Sequence, residues 1–327
     1  RELAELGAVY DSGALSNRNL IINGAMQVSQ RATSEASLAS FSKYVCVDRF
    51  HCEGASSGTF TISQSSTAAD GFSSSLKFDC TTADASPSYL LISYRFEGQD
   101  LQLLDKGNTN AKKTTLSFYV RSSKTGTYQV NLRDIDNTRQ IGKTYTIDAA
   151  DTWERKSVTF DGDTTGSFDN DNANSLRIEW WLASGSTYNS GSVPTSWEAS
   201  SNGDRAAGLN VAIGASTSDD FHLTGVQLEV GSEATPFEHR SFGDEKHRCK
   251  RYFQKNDNGT YSSNVTSGSV TTNNYCQWFY VPEMRATPTL TSVTGTNDGS
   301  NQKRGQYYNA TTNYAQFQSG ATADAEI

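Results

Sequence analysis

The chain is poor in most of the features that announce a function. No run approaches the ~20 apolar residues of a membrane-spanning helix, so membrane insertion is not expected. The four histidines, His51, His222, His239 and His247, form neither an HExxH metal motif nor a triad-like setting. There is no phosphate-cradling glycine loop. Five cysteines (Cys46, Cys52, Cys80, Cys249, Cys276) are an odd number without CxxC spacing. That argues against a zinc site and for small buried apolar side chains. Cys46 and Cys52 flank a strand that would hold them too far apart to bridge. Clustered Lys and Arg are missing too, and the net charge is -8. Nucleic acid and anionic membranes are therefore not expected partners, since phosphate binding needs such clusters.

What is present is a polar chain with bulk to bury. Charged residues make up 20% of the 327 and apolar ones 35%, yet aromatics reach 11%. That is enough ring and aliphatic surface for packed cores, and too much for a disordered chain. The length corresponds to about two domains. Arg1 stands where an initiator methionine would, which reads as a fragment or a processed chain.

Alternation with a period of two recurs along most of the length. In TTLSFYVR, Leu116, Phe118 and Val120 share a face, as do Tyr128, Val130 and Leu132 in GTYQVNLR. In SLRIEWWLA, Leu176, Ile178, Trp180 and Leu182 face one way, with Arg177, Glu179 and Trp181 opposite. In GVQLEV, Val226, Leu228 and Val230 oppose Gln227 and Glu229. Only EGQDLQLL reads as a helical turn between strands. Many short alternating strands with polar turns predict an all-β fold, an antiparallel β-sandwich of the jelly-roll kind, over residues 17–240. Residues 1–16 read as a connector, with RELAELG as a helix tail. GDEKHRCKRYF predicts a helical connector at 241–255, with Ser241 placed to cap it. Residues 256–327 open on a polar linker or hairpin and predict a second, smaller β module, expected to be incomplete at its end.

Several segments resemble a known family. NLIINGAMQVSQRATS (19–34), VDRF (47–50), GVQLEVGSEATPFEHRSFGDE (225–245), RYF (251–253) and VPEMRATPTLTS (281–292) follow one another in the order of a bacteriophage tail-fibre or minor-structural-protein module. The resemblance implies a jelly roll similar in shape to carbohydrate-binding modules and displayed on the virion exterior. By their own chemistry these motifs read as architecture. Asn23-Gly24 is a turn, Asp48 and Arg49 are ion-pair partners, and Phe237 plugs the end of the sandwich.

Three function classes follow. The first is a non-enzymatic tail-fibre adhesin, a homotrimer attached to other virion tail proteins, that binds host cell-surface glycans. The second is a structural capsid fibre or decoration protein with the same sandwich as a spacer. The third is a polysaccharide-degrading tailspike. It needs a carboxylate pair at defined separation, and Glu97, Asp100, Asp134 and Asp136 are candidates. No such pair can be placed from spacing, so no enzyme activity is expected. Sugar contact would use ring faces, and Trp181, Tyr188 and Trp197 are the candidates. Trp181 is expected to point outward, opposite the apolar face of its strand. Calcium would use acidic turns. Asp219 and Asp220, entering the last strand of the sandwich, are the best candidates, ahead of Asp161 with Asp163 and Asp169 with Asp171.

Overall fold

A computed structural model describes residues 17–256, 261–263, 274–294, 296–297, 300–309 and 315–327. The connector expected at 1–16 and most of the polar stretch after Asn256 lie outside the described residues. The chain divides into two compact units, Arg1–Arg240 and Ser241–Ile327.

The first unit carries β1 (Ser34–Tyr44), β2 (Phe50–Ser65), β3 (Ser75–Thr82), β4 (Tyr89–Glu97), β5 (Thr114–Ser122), β6 (Gly126–Asp134), β7 (Arg139–Ile147), β8 (Glu154–Phe160), β9 (Asn174–Ser184), β10 (Glu198–Ala199) and β11 (Asp220–Val230). EGQDLQLL forms two consecutive 3-10 turns, Gly98–Asp100 and Gln102–Leu104. The strands hydrogen-bond in the order β10-β7-β6-β9-β4-β2-β3-β11-β5-β8, with β1 on β2. All pairings are antiparallel.

The long strand β2 makes this path a sandwich. Its first half, Phe50–Ala55, pairs with β4, and its second half, Thr59–Ser65, pairs with β3. The chain thus passes from one layer to the other at a single corner. Side chains from the two layers meet inside. The Phe118 ring of β5 lies 5.1 Å from Tyr145 of β7 and 6.0 Å from Trp180 of β9, and Tyr128 of β6 lies 5.7 Å from Phe221 of β11. Leu116, Phe118, Val120, Ile178, Trp180 and Leu182 are all fully buried, as their alternation predicts. Each such side chain contributes about 1.5–3 kcal/mol by leaving water. The architecture is an antiparallel jelly-roll sandwich, followed by a helix and a smaller β module.

The motifs at the two ends of this unit lace together. Asn19 Nδ2 donates to the Val226 carbonyl at 3.1 Å, while its Oδ1 accepts from the Leu228 N–H at 3.1 Å. Glu238 accepts from the backbone N–H groups of Asn17 and Asn19, and Arg240 donates to the carbonyls of Asn19 and Ile21. Asn23 is fully buried with φ 62, its amide bonding Val28 and Asp48. Gly24 follows because a Cβ there would stand 2.1 Å from the Val226 carbonyl oxygen. Asp48 is buried beside Arg49. Its carboxylate takes Gln30 and Arg31, and the Arg49 guanidinium lies over the Tyr94 ring and donates to the Arg95 carbonyl.

In the second unit, Ser241 caps the helix Phe242–Lys250 by accepting from the Asp244 N–H. Cys249, Tyr252 and Phe253 are buried, while Phe242 is 54% exposed. Strands β12 (Phe253–Lys255), β13 (Tyr261–Ser263) and β15 (Thr289–Thr294) pair with β18 (Ala315–Asp324). Strands β14 (Asn274–Phe279) and β16 (Thr296–Asn297) pair with β17 (Arg304–Asn309). Trp278, Tyr280, Met284 and Phe317 form its core.

Candidate functional site

The outer faces of the two layers carry rings in very different settings. On the β4-β9-β6 side, Trp181 occupies the outer face as its alternation predicts, but it is not exposed: its relative exposure is 0%. The expectation of an outward, accessible ring is corrected, and the cause is the segment that follows β9. Gln129 Nε2 of β6 donates to the Asp204 carbonyl at 2.9 Å, Asn131 Nδ2 donates to the Arg205 carbonyl at 2.6 Å, and the Gly208 N–H donates to Gln129 Oε1 at 2.7 Å. These fully buried outward amides pull residues 202–209 down over the sheet. Trp181 is then packed by Leu91, Ala206 and the half-buried Tyr188 of the short helix Ser186–Asn189, with the Tyr188 ring at 5.0 Å. The Arg205 guanidinium sits 4.9 Å from the Trp181 ring and is held by Glu179 at 2.9 Å.

Trp197 is half-buried against the main core, its Nε1 donating to the Asp161 carbonyl at 2.6 Å. The space beside it is ≈ 20 Å³, room for about one water. The structure therefore brings Trp181 and Tyr188 together and places Trp197 apart from them.

The acidic candidates are occupied by cations and backbone. Asp219 accepts from the N–H groups of Gly214 and Ser216 at 3.0 Å, with the Lys124 ammonium also at 3.0 Å. Asp220 pairs with Arg121, Lys77 and His222. Charges already compensated in this way disfavour a divalent ion. Among the described residues no group of three or more His, Cys, Asp or Glu could hold a metal. The calcium candidacy of Asp219 and Asp220 rested on two adjacent acids without regard to the cations and N–H groups that face them. Asp134 and Asp163 share the buried Lys106, at 2.6 and 3.2 Å, and Arg139 also holds Asp163. Four cysteines, Cys46, Cys52, Cys80 and Cys249, are buried; the Cys276 side chain lies outside the described residues.

The β11-β5 side holds an open site. Phe72 lies at the centre of four rings, with Tyr119 at 5.3 Å, Phe237 at 5.0 Å and His239 at 5.2 Å. Phe237 and His239 stand edge-on at 4.8 Å. Asp70, Arg155, Ala234 and Pro236 complete a cleft of ≈ 480 Å³. That volume falls inside the roughly 300–1,000 Å³ of small-molecule sites. Asp70, Arg155 and His239 are exposed, and the other rings are partly so.

The sequence builds this cleft through β11. Gly225 has φ 59, and a Cβ there would meet Phe72 Cζ at 2.6 Å and Tyr119 Cδ2 at 2.7 Å. Only glycine lets the Phe72 ring settle on the strand. One turn of the pleat later, Gln227 and Glu229 face outward, yet both are buried. Gln227 Oε1 accepts from the Glu238 N–H at 2.8 Å, and Glu229 accepts from the N–H and Oγ1 of Thr235. These two side chains dock the segment 235–238 across the sheet, which carries Phe237 and His239 to the cleft. Arg155 Nη2 donates to the Thr235 carbonyl at 2.7 Å and is fixed at the rim. Phe237 is half-buried, against the Phe72 and His239 rings and beside Gly24.

Sequence reasoning missed Phe72, Tyr119, Asp70 and Arg155. Tyr119 carried a signal, as the outward neighbour of Phe118 and Val120. Phe72 sits in a loop with no period, and nothing in its neighbours places it on Gly225.

No family model matches the chain, and no curated protein matches it. Among solved structures it is similar to the enzymatically active domain of tailspike protein 4 of bacteriophage CBA120, at 12% identity and TM-score 0.35, covering 65% of this chain and 22% of that one. It is similar to a putative sugar binding protein from Bacteroides thetaiotaomicron, at 12% identity and TM-score 0.33, covering 65% and 100%. It is also similar to the C-terminal family 22 carbohydrate binding module of Clostridium thermocellum Xyn10B, at 11% identity and TM-score 0.33, covering 67% and 99%. Identities and scores this low assign the chain to no family.

Proposed function

We propose that this chain is a non-catalytic glycan-binding module of a bacteriophage tail fibre, acting as an adhesin on the host surface. One observation carries the reading: the open, four-ring cleft around Phe72 with a carboxylate and a guanidinium at its rim. A pyranose presents an apolar C–H face and a girdle of hydroxyls. Phe72 and Tyr119 suit the first, while Asp70 as acceptor and Arg155 as donor suit the second. The order of the NLIING, DRF, QLEVGSEATPFEHR and RYF segments supports the virion assignment. The QLE and ATPFEHR segments also build the cleft wall.

In this reading several copies act together, each contact weak. Linking sites on one particle raises avidity by roughly a hundredfold or more without new contacts. We place the module on the virion exterior as a homotrimer with other tail proteins. A buried Trp181 offers no apolar area for the contact between subunits, so that contact must use other surface.

The test is adhesion of the labelled fibre to host cells. Tyr119→Ala should abolish adhesion at fibre concentrations where the wild type saturates, with little change in melting temperature. Unchanged adhesion of Tyr119→Ala and Phe72→Ala would sink the assignment of the cleft.

A further inference from the structure

The face opposite the cleft carries an arrangement that folding alone does not call for. Three arginines stand side by side on adjacent strands. The register sets Arg95 of β4 directly opposite Arg177 of β9, and Arg177 directly opposite Arg133 of β6. Like charges directly opposite on neighbouring strands are destabilising. All three are only partly exposed, so water screens them incompletely.

Their compensation is uneven. Arg95 reaches Glu53 at 3.4 Å, and Arg133 reaches Glu179 at 3.0 Å. Glu179 is already committed to Arg205, so one buried carboxylate serves two guanidiniums. Arg177, in the middle, pairs with no carboxylate among the described residues. Its guanidinium meets the Asn174 side-chain oxygen, turned towards it, at 2.8 and 3.1 Å. Burial, followed by the neighbouring charge of Arg95, lowers its pKa from the ordinary arginine value. Burial lowers the pKa of His51, beside Glu53. Along the row the next positions are Gln140 of β7 and then Glu198 of β10, two strands beyond Arg133. Arg133 and Arg205 thus share the one carboxylate of Glu179, and Arg177 between Arg95 and Arg133 has none among the described residues.

We infer that this row is a binding site for a carboxylate-bearing saccharide, with Arg177 as the guanidinium that grips the carboxylate. The planar fork of arginine matches a carboxylate with two parallel hydrogen bonds, and an incoming anion would relieve the repulsion along the row. An aromatic ring lies next to the row, with the Arg31 guanidinium over it at 5.3 Å. The half-buried Tyr44 ring lies 4.9 Å from His51 and 5.9 Å from the Arg95 guanidinium. The site is separate from the Phe72 cleft and does not rest on it.

The experiment is calorimetric titration of the full chain with glucuronate, glucose and acetate at low salt. Glucuronate should bind at least tenfold more tightly than either, and the affinity should fall as salt is raised. Arg177→Gln should weaken glucuronate at least tenfold while keeping or raising the melting temperature, since it removes the middle of three like charges. Arg177→Lys, which keeps the charge but not the fork, should fall between the two. Phe72→Ala should leave glucuronate binding intact, which separates this site from the cleft. Glucuronate no tighter than glucose or acetate, unchanged binding in Arg177→Gln, or an unfolded Arg177→Gln would each overturn the inference.

Discussion

Trp181 and Phe72 make an instructive pair. Each is a large ring on the outer face of its layer, away from the sandwich core. Trp181 is sealed, because the outward amides Gln129 and Asn131 draw residues 202–209 over it. Phe72 stays partly open, because Gln227 and Glu229 draw the segment 235–238 beside it rather than across it. The same device, buried polar side chains capturing a loop backbone, yields a minor core in one place and an open cleft in the other. Ring chemistry alone does not separate the two; what covers the ring does.

The largest expected effect breaks the sealed member. Trp181→Ala removes a fully buried indole from a packed cluster and should cost about 3–5 kcal/mol, seen as a sharp fall in melting temperature. Glycan binding at the cleft, measured well below that temperature, should stay near wild type. A melting temperature that did not move would mean that the loop over Trp181 is not held as described.

Gly225→Ala comes next and attacks the open member through its floor. The strained φ costs about 1–3 kcal/mol, and the new methyl displaces Phe72 and Tyr119. Both stability and cleft binding should drop together in differential scanning calorimetry and titration. Wild-type affinity in that variant would show that the ring positions do not matter.

Phe72→Ala is the sharper cut. Losing one stacking face costs about 1.4 kcal/mol of binding, roughly tenfold in affinity, with a smaller change in stability because the ring is only half-buried.

The smallest effect concerns acid. Burial alone would raise the Glu53 carboxyl, but the His51 hydrogen bond and the charges of His51, Arg95 and Arg177 hold it at about 2. A depressed folded-state pKa stabilises the fold above the unfolded value of 4.5 and loses that contribution as pH falls towards 2. Glu53→Gln should therefore flatten the dependence of melting temperature on pH across that window. An identical slope in the variant would remove Glu53 from the account.

Much of the sandwich was legible because period-two alternation is a local property. TTLSFYVR, GTYQVNLR and SLRIEWWLA became β5, β6 and β9 with the expected residues inside. The candidate site was legible only in its supports. Gln227, Glu229, Phe237 and His239 lie in segments that drew notice, but as architecture. Phe72 comes from a loop far before the Gly225 it packs on, and no local pattern encodes that contact. Trp181 was placed on the correct face and given the wrong environment, because alternation reports a direction and not the loop that closes over it. The surroundings of Asp219 and Asp220 were hidden for a similar reason: Lys124, Arg121 and Lys77 face them from other strands and turns.

The most direct test of the account is to locate a bound sugar. A crystal structure of the chain with a neutral hexose oligosaccharide selected on a glycan array should show a pyranose ring against Phe72 and Tyr119, with hydroxyls on Asp70 and Arg155. A sugar seated instead against Trp181 and Tyr188, with residues 202–209 lifted away, would contradict it.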